Sequence, residues 1–183
     1  MNAFPSALPE GRLLPLGDAA LTVEFGSEIE PRIHARVLGF ARALEELAAS
    51  GRIAGVVEWV PTFRSVTVYF EPDRIDAETL AAELQVLART STSLTLAGAR
   101  WRIPVCFEPE FAPDLDELAS ARALPRERVV ELMTQTVFSV YMLGFQPGFS
   151  YMGGLPEALE MPRLASPRKR VPAGSVAVAQ RMC

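Results

Sequence analysis

The chain has 183 residues, of which 49% are hydrophobic, and its formal net charge is −4. This length suits one large domain or two small ones, and the apolar content excludes global disorder. The negative balance argues against general binding of nucleic acids. No segment approaches the roughly 18 consecutive apolar residues of a membrane helix, and the first residues show no apolar stretch typical of a secretory signal. We therefore expect a soluble, cytoplasmic globular protein.

Strand and helix patterns follow one another in the order β-α-β-β-α in the first half of the chain. Each strand shows apolar residues at a spacing of two, and each helix shows them at spacings of three and four. A further strand would complete a βαββαβ unit with both helices on one face of a sheet. The predicted elements are a strand at 21–25, a helix beginning at Pro31 and ending at Ser50-Gly51, strands at 56–60 and 65–70, a helix capped by Asp76, and a strand at 93–96.

A second unit is predicted to begin near Gly98, which divides the chain into domains 1–97 and 98–183. Its short strands and frequent turn residues favour a β-rich barrel or sandwich with small helices, so the expected fold class is α+β. Cys106 is expected to be a small buried side chain, and the two cysteines show no metal-ligand spacing. The predicted elements are a strand at 101–106, helices opening at Pro113-Asp114 and at Pro125, a strand at 138–143, and a strand at 176–179.

The segment LGFQPGFSYMGG, residues 143–154, combines glycines and a proline with three aromatic residues. Glycine permits a positive φ and a close approach of other atoms, while the aromatic rings can form an apolar wall. We predict that the segment lines a small-molecule pocket or a contact surface. A tight corner of a sheet, with its rings in the core, is an equally compatible interpretation. The predicted pocket-lining residues are Gly144, Phe145, Pro147, Gly148, Phe149, Tyr151 and Pro172.

Cationic side chains are concentrated in the proline-spaced stretch 163–170. The guanidinium fork of arginine suits a carboxylate or a phosphate, although such a run is more commonly a solvated loop. The following Pro-Ala-Gly-Ser stretch offers backbone N–H groups and a hydroxyl to the same anion. On turn chemistry alone, a simple β-turn is the favoured interpretation of that stretch. The predicted anion-binding residues are Arg163, Arg168, Gly174 and Ser175.

No catalytic residue and no metal site can be assigned from the pattern. His34 is the only histidine and lies at the border of the apolar face of the first helix. A Ser-His-Asp triad would have to use it, and the chain contains no nucleophile-elbow motif. Phosphate-binding motifs of the GxxxxGK[ST] and GxGxxG types are also absent from the sequence. The residues alone therefore indicate a two-unit protein with a candidate anion site, and no reaction.

Four segments of this sequence resemble one known family. The stretches LGFQPGFSYMGGLPEAL and MPRLASPRKRVPAGSVAVA are similar to the signature of the KipI / allophanate hydrolase subunit 1 family. PLGDAAL and VPTFRS in the first half resemble two further motifs of that family. The resemblance runs from about Leu14 to Ala179 with the motifs in the same order. Motifs of this length in a shared order are highly specific.

The resemblance implies a ferredoxin-like N-terminal domain followed by a cyclophilin-like β-barrel. It also implies that the chain is the B subunit of an ATP-dependent 5-oxoprolinase, a complex that cleaves 5-oxoproline to L-glutamate. The implied partners are an AHS2/KipA-like C subunit and a LamB/YcsF-like A subunit, with ATP as the cofactor of the complex. Two alternatives occur in the same family: an inhibitor of a sensor histidine kinase, and an accessory domain in allophanate or urea carboxylase pathways.

Two positions depart from the family pattern. Met133 stands where family members usually have a histidine. Family members continue beyond the VPAGSVAI strand, whereas this sequence ends with Gln180-Arg181-Met182-Cys183. We therefore expect a barrel that is incomplete at its C-terminus. Such a barrel would leave strand edges and apolar surface exposed, and the chain is expected to be marginally stable, prone to aggregation or dependent on a partner.

Overall fold

The computed structural model describes residues 11–94 and 98–183. The chain divides into two compact units, Met1–Gly98 and Ala99–Cys183. Helices and strands occur in both units, so the fold is a mixed α and β fold, in agreement with the predicted class. Among the described residues, no helix is both long enough and apolar enough to cross a membrane.

The first unit contains four strands and two helices. Its elements are β1 (Arg12–Pro15), β2 (Ala20–Glu24), α1 (Pro31–Ala49), β3 (Val56–Pro61), β4 (Ser65–Phe70) and α2 (Ala77–Thr90). The local signals for the helices are confirmed. Pro31 lies in the first turn of α1, and Ser50 is its C-cap. The Asp76 carboxylate accepts a hydrogen bond of 2.8 Å from the backbone N–H of Thr79 and so caps α2.

The four strands form one antiparallel sheet in the order β1-β2-β4-β3. The strand predicted at 93–96 is not confirmed: Ser93 and Leu94 lie outside any strand, and residues 95 and 96 lie outside the described residues. The backbone N–H of Leu94 donates instead to the carbonyl of Ala35 in α1, at 2.8 Å. The edge of β2 is paired with β1, which the sequence patterns did not predict.

One face of this sheet packs against both helices and forms the core of the first unit. Alternate residues of β2 and β4 contribute to it, as the period of a half-buried strand requires. Gly39 of α1 lies so close to the following segment that a Cβ atom there would be 1.8 Å from the carbonyl oxygen of Thr92. The buried members are Leu21, Val23, Phe25, Ile33, Val37, Phe40, Leu44, Ile53, Val66, Val68, Phe70, Ile75, Leu80, Leu84 and Ala88.

The side chain of Arg36 joins α1 to the end of α2. Its guanidinium donates hydrogen bonds to the carbonyl oxygens of Ala88 and Ser91. The same group lies over the ring of Phe25, 5.4 Å from the centroid. Carbonyl groups at a helix C-terminus have no partner within the helix, and a cation placed there satisfies them. Arg36 is therefore a structural residue of the first unit.

The second unit is built from two helices, a hairpin and extensive coil. Its elements are α3 (Leu115–Ala121), α4 (Arg126–Gln135), β5 (Ser139–Leu143), β6 (Ser150–Gly153) and a short 3-10 helix (Glu157–Leu159). Both predicted helices and the strand at 138–143 are confirmed. A small core lies between these elements, and its buried members are Leu115, Ala119, Val129, Leu155 and Leu159.

Three predictions for the second unit are wrong. Residues 101–106 form no strand, and no backbone hydrogen bond joins them to any described residue. Pro104 lacks an N–H group, which weakens one edge of such a strand, and Cys106 is exposed rather than buried. The stretch 176–179 is also not a strand, apart from an isolated bridge at Ala179. Within residues 98–183, the named strands therefore form a two-stranded sheet and no closed barrel.

Candidate functional site

The Gly/aromatic segment forms the hairpin of β5 and β6. The strands pair antiparallel, and their loop is closed by hydrogen bonds from Gly144 N–H to the Phe149 carbonyl at 3.1 Å and from Phe149 N–H to the Gln146 carbonyl at 3.0 Å. Gly153 in β6 lies against the ring of Tyr141, where a Cβ atom would be 2.0 Å from a ring carbon. Glycine at this position is therefore required by the close approach of the ring.

Three aromatic rings follow one another along this hairpin. The centroids of Phe145 and Phe149 are 5.6 Å apart, and those of Phe149 and Tyr151 are 5.0 Å apart, each pair meeting edge to face. Phe145 is 81% exposed, and Phe149 is 42% exposed. The φ of Phe145 is +61°, a conformation that bulky residues rarely adopt. The loop thus presents its aromatic wall at the surface rather than in a core.

The other predicted pocket-lining residues fall in two places. Pro147 and Gly148 lie exposed at the tip of the same loop, and Gly148 has a φ of +81°. Pro172 belongs instead to a separate turn, Pro172–Ser175. Six of the seven predicted residues are therefore on one hairpin because they are neighbours in sequence.

Arg168 is paired with an acidic residue far away in sequence. Its Nη2 atom donates to both carboxylate oxygens of Asp114, at 2.6 Å to Oδ1 and 2.7 Å to Oδ2. Asp114 directly precedes α3, and its carboxylate makes no capping hydrogen bond to that helix. The sequence patterns indicated Asp114 only as a helix start, because nothing in its neighbourhood points to a residue 54 positions further on.

The other cations of the segment make no such pair. Arg163, Lys169 and Arg170 are exposed and form no ion pair or hydrogen bond with the described residues. Arg181, close to the end of the chain, pairs with Glu160 at 3.2 Å. The stretch 163–170 therefore holds three exposed cationic side chains beside one that is already paired.

The Pro172–Ser175 stretch is a turn. The N–H of Ser175 bonds to the Pro172 carbonyl at 3.3 Å, and its hydroxyl donates to the same oxygen at 2.7 Å. Gly174 has a φ of +79°, which suits the third position of a type II turn. The N–H groups of Ala173 and Gly174 have no acceptor among the described residues, so they are the backbone donors that this turn offers to an anion.

Three titratable groups of the second unit have altered pKa values. Burial raises the pKa of the Tyr141 hydroxyl and that of the Cys183 thiol. The Arg128 guanidinium, by hydrogen bond and charge, lowers the pKa of the Glu131 carboxyl. Met133, at the position where the resemblance implies a histidine, packs against the small core.

The chain matches a known protein family over most of its length. The family model of the carboxyltransferase domain, subdomains C and D, matches residues 11–183. Three curated relatives are B subunits of 5-oxoprolinase. The relative from Bacillus subtilis (strain 168) is 35% identical, over 90% of this chain and 71% of its own. The relative from Haemophilus influenzae is 31% identical, over 91% and 75%. The relative from Escherichia coli O157:H7 is 32% identical, over 93% and 76%.

Solved structures share the same architecture. A crystal structure of TTHA0988 superposes with a TM-score of 0.73 at 30% sequence identity, covering 89% of this chain and 31% of that one. The urea carboxylase of Kluyveromyces lactis superposes with a TM-score of 0.63 at 19% identity, over 82% of this chain and 15% of that one. This chain thus spans about a third of the length of TTHA0988, and the likeness to urea carboxylase is one of fold alone.

Proposed function

Because this chain belongs to the carboxyltransferase domain family of subdomains C and D, we propose that it is the B subunit of an ATP-dependent 5-oxoprolinase. The observation that carries the proposal is the set of three curated relatives that are B subunits of this enzyme, each aligned over more than two thirds of its own length. The complex cleaves the lactam of 5-oxoproline to L-glutamate and uses ATP. Its other members are an AHS2/KipA-like C subunit and a LamB/YcsF-like A subunit.

The chemistry of the substrate explains why ATP and cationic groups belong together. A five-membered lactam is a poor electrophile near neutral pH. Transfer of a phosphoryl group from ATP to its carbonyl oxygen makes the ring carbon electrophilic, so that water adds there and the C–N bond breaks with the nitrogen leaving as the amine. Hydrolysis of the resulting acyl phosphate then gives glutamate and inorganic phosphate. The phosphorylated lactam carries both a carboxylate and a phosphate, and arginine side chains beside it would stabilise that negative charge by charge-assisted hydrogen bonds. The sequence of this chain contains no P-loop motif, and its proposed part is to bind the anion.

The residues proposed for this task lie in the cationic stretch and the turn after it. Arg163 is exposed and without an ion pair among the described residues, and Arg168 is held by Asp114. The Gly174 N–H is a donor without an acceptor in the described chain, whereas the Ser175 hydroxyl is engaged within its own turn. The aromatic loop supplies an apolar wall that fits the ring of the substrate or another protein of the complex.

The finer description of the fold is also proposed here. A four-stranded antiparallel sheet with two helices on one face supports a ferredoxin-like first unit. The cyclophilin-like barrel rests on the family resemblance, since the described part of the second unit forms a single hairpin.

Reconstitution tests the proposal directly. The chain is mixed with the KipA-like and YcsF-like proteins, and the release of glutamate from 5-oxoproline is followed with and without ATP. We expect ATP-dependent glutamate that disappears when this chain is left out. Complete turnover by the other two proteins alone would contradict a role for this chain in the complex.

Substitutions then test the anion site. Arg163→Ala and Arg168→Ala are each expected to lower the rate of glutamate release by roughly 10- to 100-fold, because a hydrogen bond to a charged group is worth about 1.5–3 kcal/mol. Arg42→Ala is the matched control, since Arg42 is an exposed arginine of α1 paired with Glu45 and Glu46. Full activity of both the Arg163→Ala and the Arg168→Ala variants in assembled complexes would contradict the proposed anion-binding role of these arginines.

A further inference from the structure

Two buried polar atoms at the edge of the first core have no hydrogen-bond partner among the described residues. They are Nε of Arg36 in α1 and Oγ of Ser91, the C-cap residue of α2. Ser91 is 9% exposed. A buried polar group without a partner destabilises the folded state, and more strongly when it belongs to a charged side chain. Internal water molecules commonly satisfy buried groups of this kind.

The two atoms are neighbours because one set of hydrogen bonds links their side chains. Nη1 of Arg36 donates to the carbonyl oxygen of Ser91, and Nη2 donates to that of Ala88. Nε is bonded to the same carbon atom as Nη1, and Oγ belongs to the same residue as the first carbonyl. Two atoms that share one water are about 4–6 Å apart, since each hydrogen bond is about 2.8–3.0 Å long. The contacts of Arg36 with Ser91 are compatible with such a span.

The surrounding groups favour a water molecule over an anion. The carbonyl oxygens of Ala88 and Ser91 lie at the negative end of the α2 dipole, and each keeps a second lone pair after accepting from Arg36. A water can accept from Nε–H, share a hydrogen bond with the hydroxyl and donate to a carbonyl. A halide would face the same oxygens with no hydrogen to donate. The ring of Phe25 lies over the guanidinium, with its centroid 5.4 Å from Cζ, so the partner of Nε must lie in the guanidinium plane.

We propose that Arg36 and Ser91 together bind one internal water molecule, which completes the attachment of the segment after α2 to α1. The same segment is held further along by Leu94, whose N–H donates to the Ala35 carbonyl at 2.8 Å. The water is thus a structural ligand of the first unit, at the point where the chain leaves α2. This inference is independent of the proposed enzymatic function.

Ser91→Ala gives opposite results with and without the water. With it, the substitution removes one of the partners of the water, and the equilibrium constant for folding should fall roughly three- to tenfold. Without it, the substitution removes an unsatisfied buried hydroxyl, and the constant should stay the same or rise. Ser93→Ala is the matched control, because Ser93 is an exposed serine of the same segment, and it should change the constant by no more than roughly twofold.

Urea unfolding of the full chain measures these constants. The fluorescence of Trp59, which packs against the first core, reports on this unit when Trp101 is replaced by Phe. In the Arg36→Lys background, Ser91→Ala should change the folding constant less than in the unmodified chain, because the water has already lost its partner at Nε. Equal changes in the two backgrounds would contradict a shared ligand.

Nuclear magnetic resonance of the isotope-labelled full chain detects the water directly. The Arg36 Hε proton should show a cross-relaxation peak with water. The Hε resonance should disappear in Arg36→Lys, which keeps the cation but has no Nε–H, and this loss assigns it. The peak should weaken in Ser91→Ala and persist in Ser93→Ala. A slowly exchanging Hε proton without a water peak would overturn the inference, because Nε would then bond directly to the Ser91 hydroxyl.

A change of salt separates water from a halide. Sodium chloride is replaced by sodium gluconate at the same ionic strength, and the unfolding of the unmodified chain and of Ser91→Ala is measured again. The effect of Ser91→Ala should be the same in both salts. If it vanished without chloride, the occupant would be a halide, and the assignment of a water would be wrong.

Discussion

The two units differ in how completely they bury their apolar side chains. In the first, fifteen of the described residues form one buried core between a four-stranded sheet and two helices. In the second, five form the core. At the surface, the second unit exposes more large apolar side chains than the first. The large exposed apolar side chains of the first unit are Leu16, Val57, Tyr69 and Val86. Those of the second are Trp101, Ile103, Val105, Phe111, Val137, Val140, Leu143, Phe145, Phe149, Leu164, Val171 and Val176.

This difference follows from the architecture of each unit. A sheet that is covered by helices lets every second residue of each strand enter a common core. A two-stranded hairpin has too little surface to cover, and isolated hairpins are marginally stable at best. Where exposed apolar side chains are contiguous, as the rings of Phe145 and Phe149 are, they are typical of contact sites between proteins. The first unit is therefore expected to carry most of the stability of the chain, and the second most of its binding surface.

The largest expected effect compares two phenylalanines. Phe40 is fully buried, with its ring centroid 5.3 Å from that of Phe25. Phe40→Ala should lower the free energy of unfolding by about 3–5 kcal/mol, the usual cost of emptying a core site. The exposed Phe145 is its counterpart, and Phe145→Ala should change this free energy by less than about 0.5 kcal/mol.

Urea unfolding followed by far-ultraviolet circular dichroism measures both variants. The fluorescence of Trp59, which packs against the first core, reports on the first unit when Trp101 is replaced by Phe. Similar losses in the free energy of unfolding for Phe40→Ala and Phe145→Ala would contradict the expectation that the first unit carries most of the stability.

The next effect concerns the close approach at Gly39. Gly39→Ala places a methyl group against the backbone carbonyl of Thr92, which cannot move aside as a flexible side chain could. We expect a loss of about 1–3 kcal/mol in the free energy of unfolding of the first unit, because overpacking outweighs the better helix propensity of alanine. Gly98→Ala is the control, since among the described residues no atom beyond its chain neighbours lies within 4 Å of the added methyl group. If the urea unfolding transition followed by Trp59 fluorescence were unchanged in Gly39→Ala, α1 would not lie this close to the Thr92 carbonyl.

A smaller effect is expected at the charged link of the first unit. Arg36→Met keeps the aliphatic length of the side chain but removes the donors to the carbonyls of Ala88 and Ser91. The expected loss is about 1–2 kcal/mol in the free energy of unfolding, again read from Trp59. Arg42→Met removes an exposed arginine from the same helix and should cost no more than about 0.5 kcal/mol. Equal costs for the two substitutions would contradict the structural role of Arg36.

The smallest expected effect is a pH dependence of stability that differs between the two units. Tyr141 and Cys183 have raised pKa values because burial disfavours their charged forms. In the unfolded chain they ionise nearer 10.0 and 9.0, so the unfolded state loses protons first. The stability of the second unit is therefore fully present below those values and falls as the pH rises towards the folded pKa values. A tyrosinate absorbance titration should contain a late component that is absent in Tyr141→Phe.

In the first unit, a carboxyl group has a lowered pKa, so its effect on stability is expected at low pH. Hydrogen bonds from Thr79 lower the pKa of the Asp76 carboxyl. Its contribution to stability is present above the unfolded pKa and is lost as the pH falls through the folded one. Asp76→Asn should reduce the loss of stability of the first unit at low pH, as followed by Trp59 fluorescence. It should leave the alkaline titration of Tyr141 unchanged. If Asp76→Asn changed the alkaline titration of Tyr141 as well, the assignment of the two pH effects to separate units would be contradicted.

Prediction from sequence worked best where the signal was local. The proline at the start of α1 and the carboxylate of Asp76 act within one helical turn, and both helices of the first unit begin where these residues indicated. Pairing of strands is not local. The stretch 101–106 has an apolar pattern suited to a strand but finds no partner among the described residues, whereas β1 was not predicted and pairs with β2. Of the strand predicted at 93–96, Ser93 and Leu94 lie outside any strand, and residues 95 and 96 lie outside the described residues.

The candidate site shows the same division. Its aromatic loop could be predicted because Phe145, Phe149 and Tyr151 are neighbours in sequence, and their ring contacts follow from one hairpin. The cationic stretch was equally visible as a run of residue types. The partner of Arg168 was not, since Asp114 lies in a different element and serves no capping function that would mark it.

The amino-acid sequence alone was enough to indicate the family, the helices and the residue types available for binding an anion, because these depend on composition and on spacings of a few residues. It could not indicate which strands pair, which apolar side chains stay exposed, or that Asp114 occupies Arg168. These features appear only in the folded chain. Hydrogen bonds between strands and ion pairs between elements depend on distances in space, and folding brings residues 54 positions apart to within 2.6 Å.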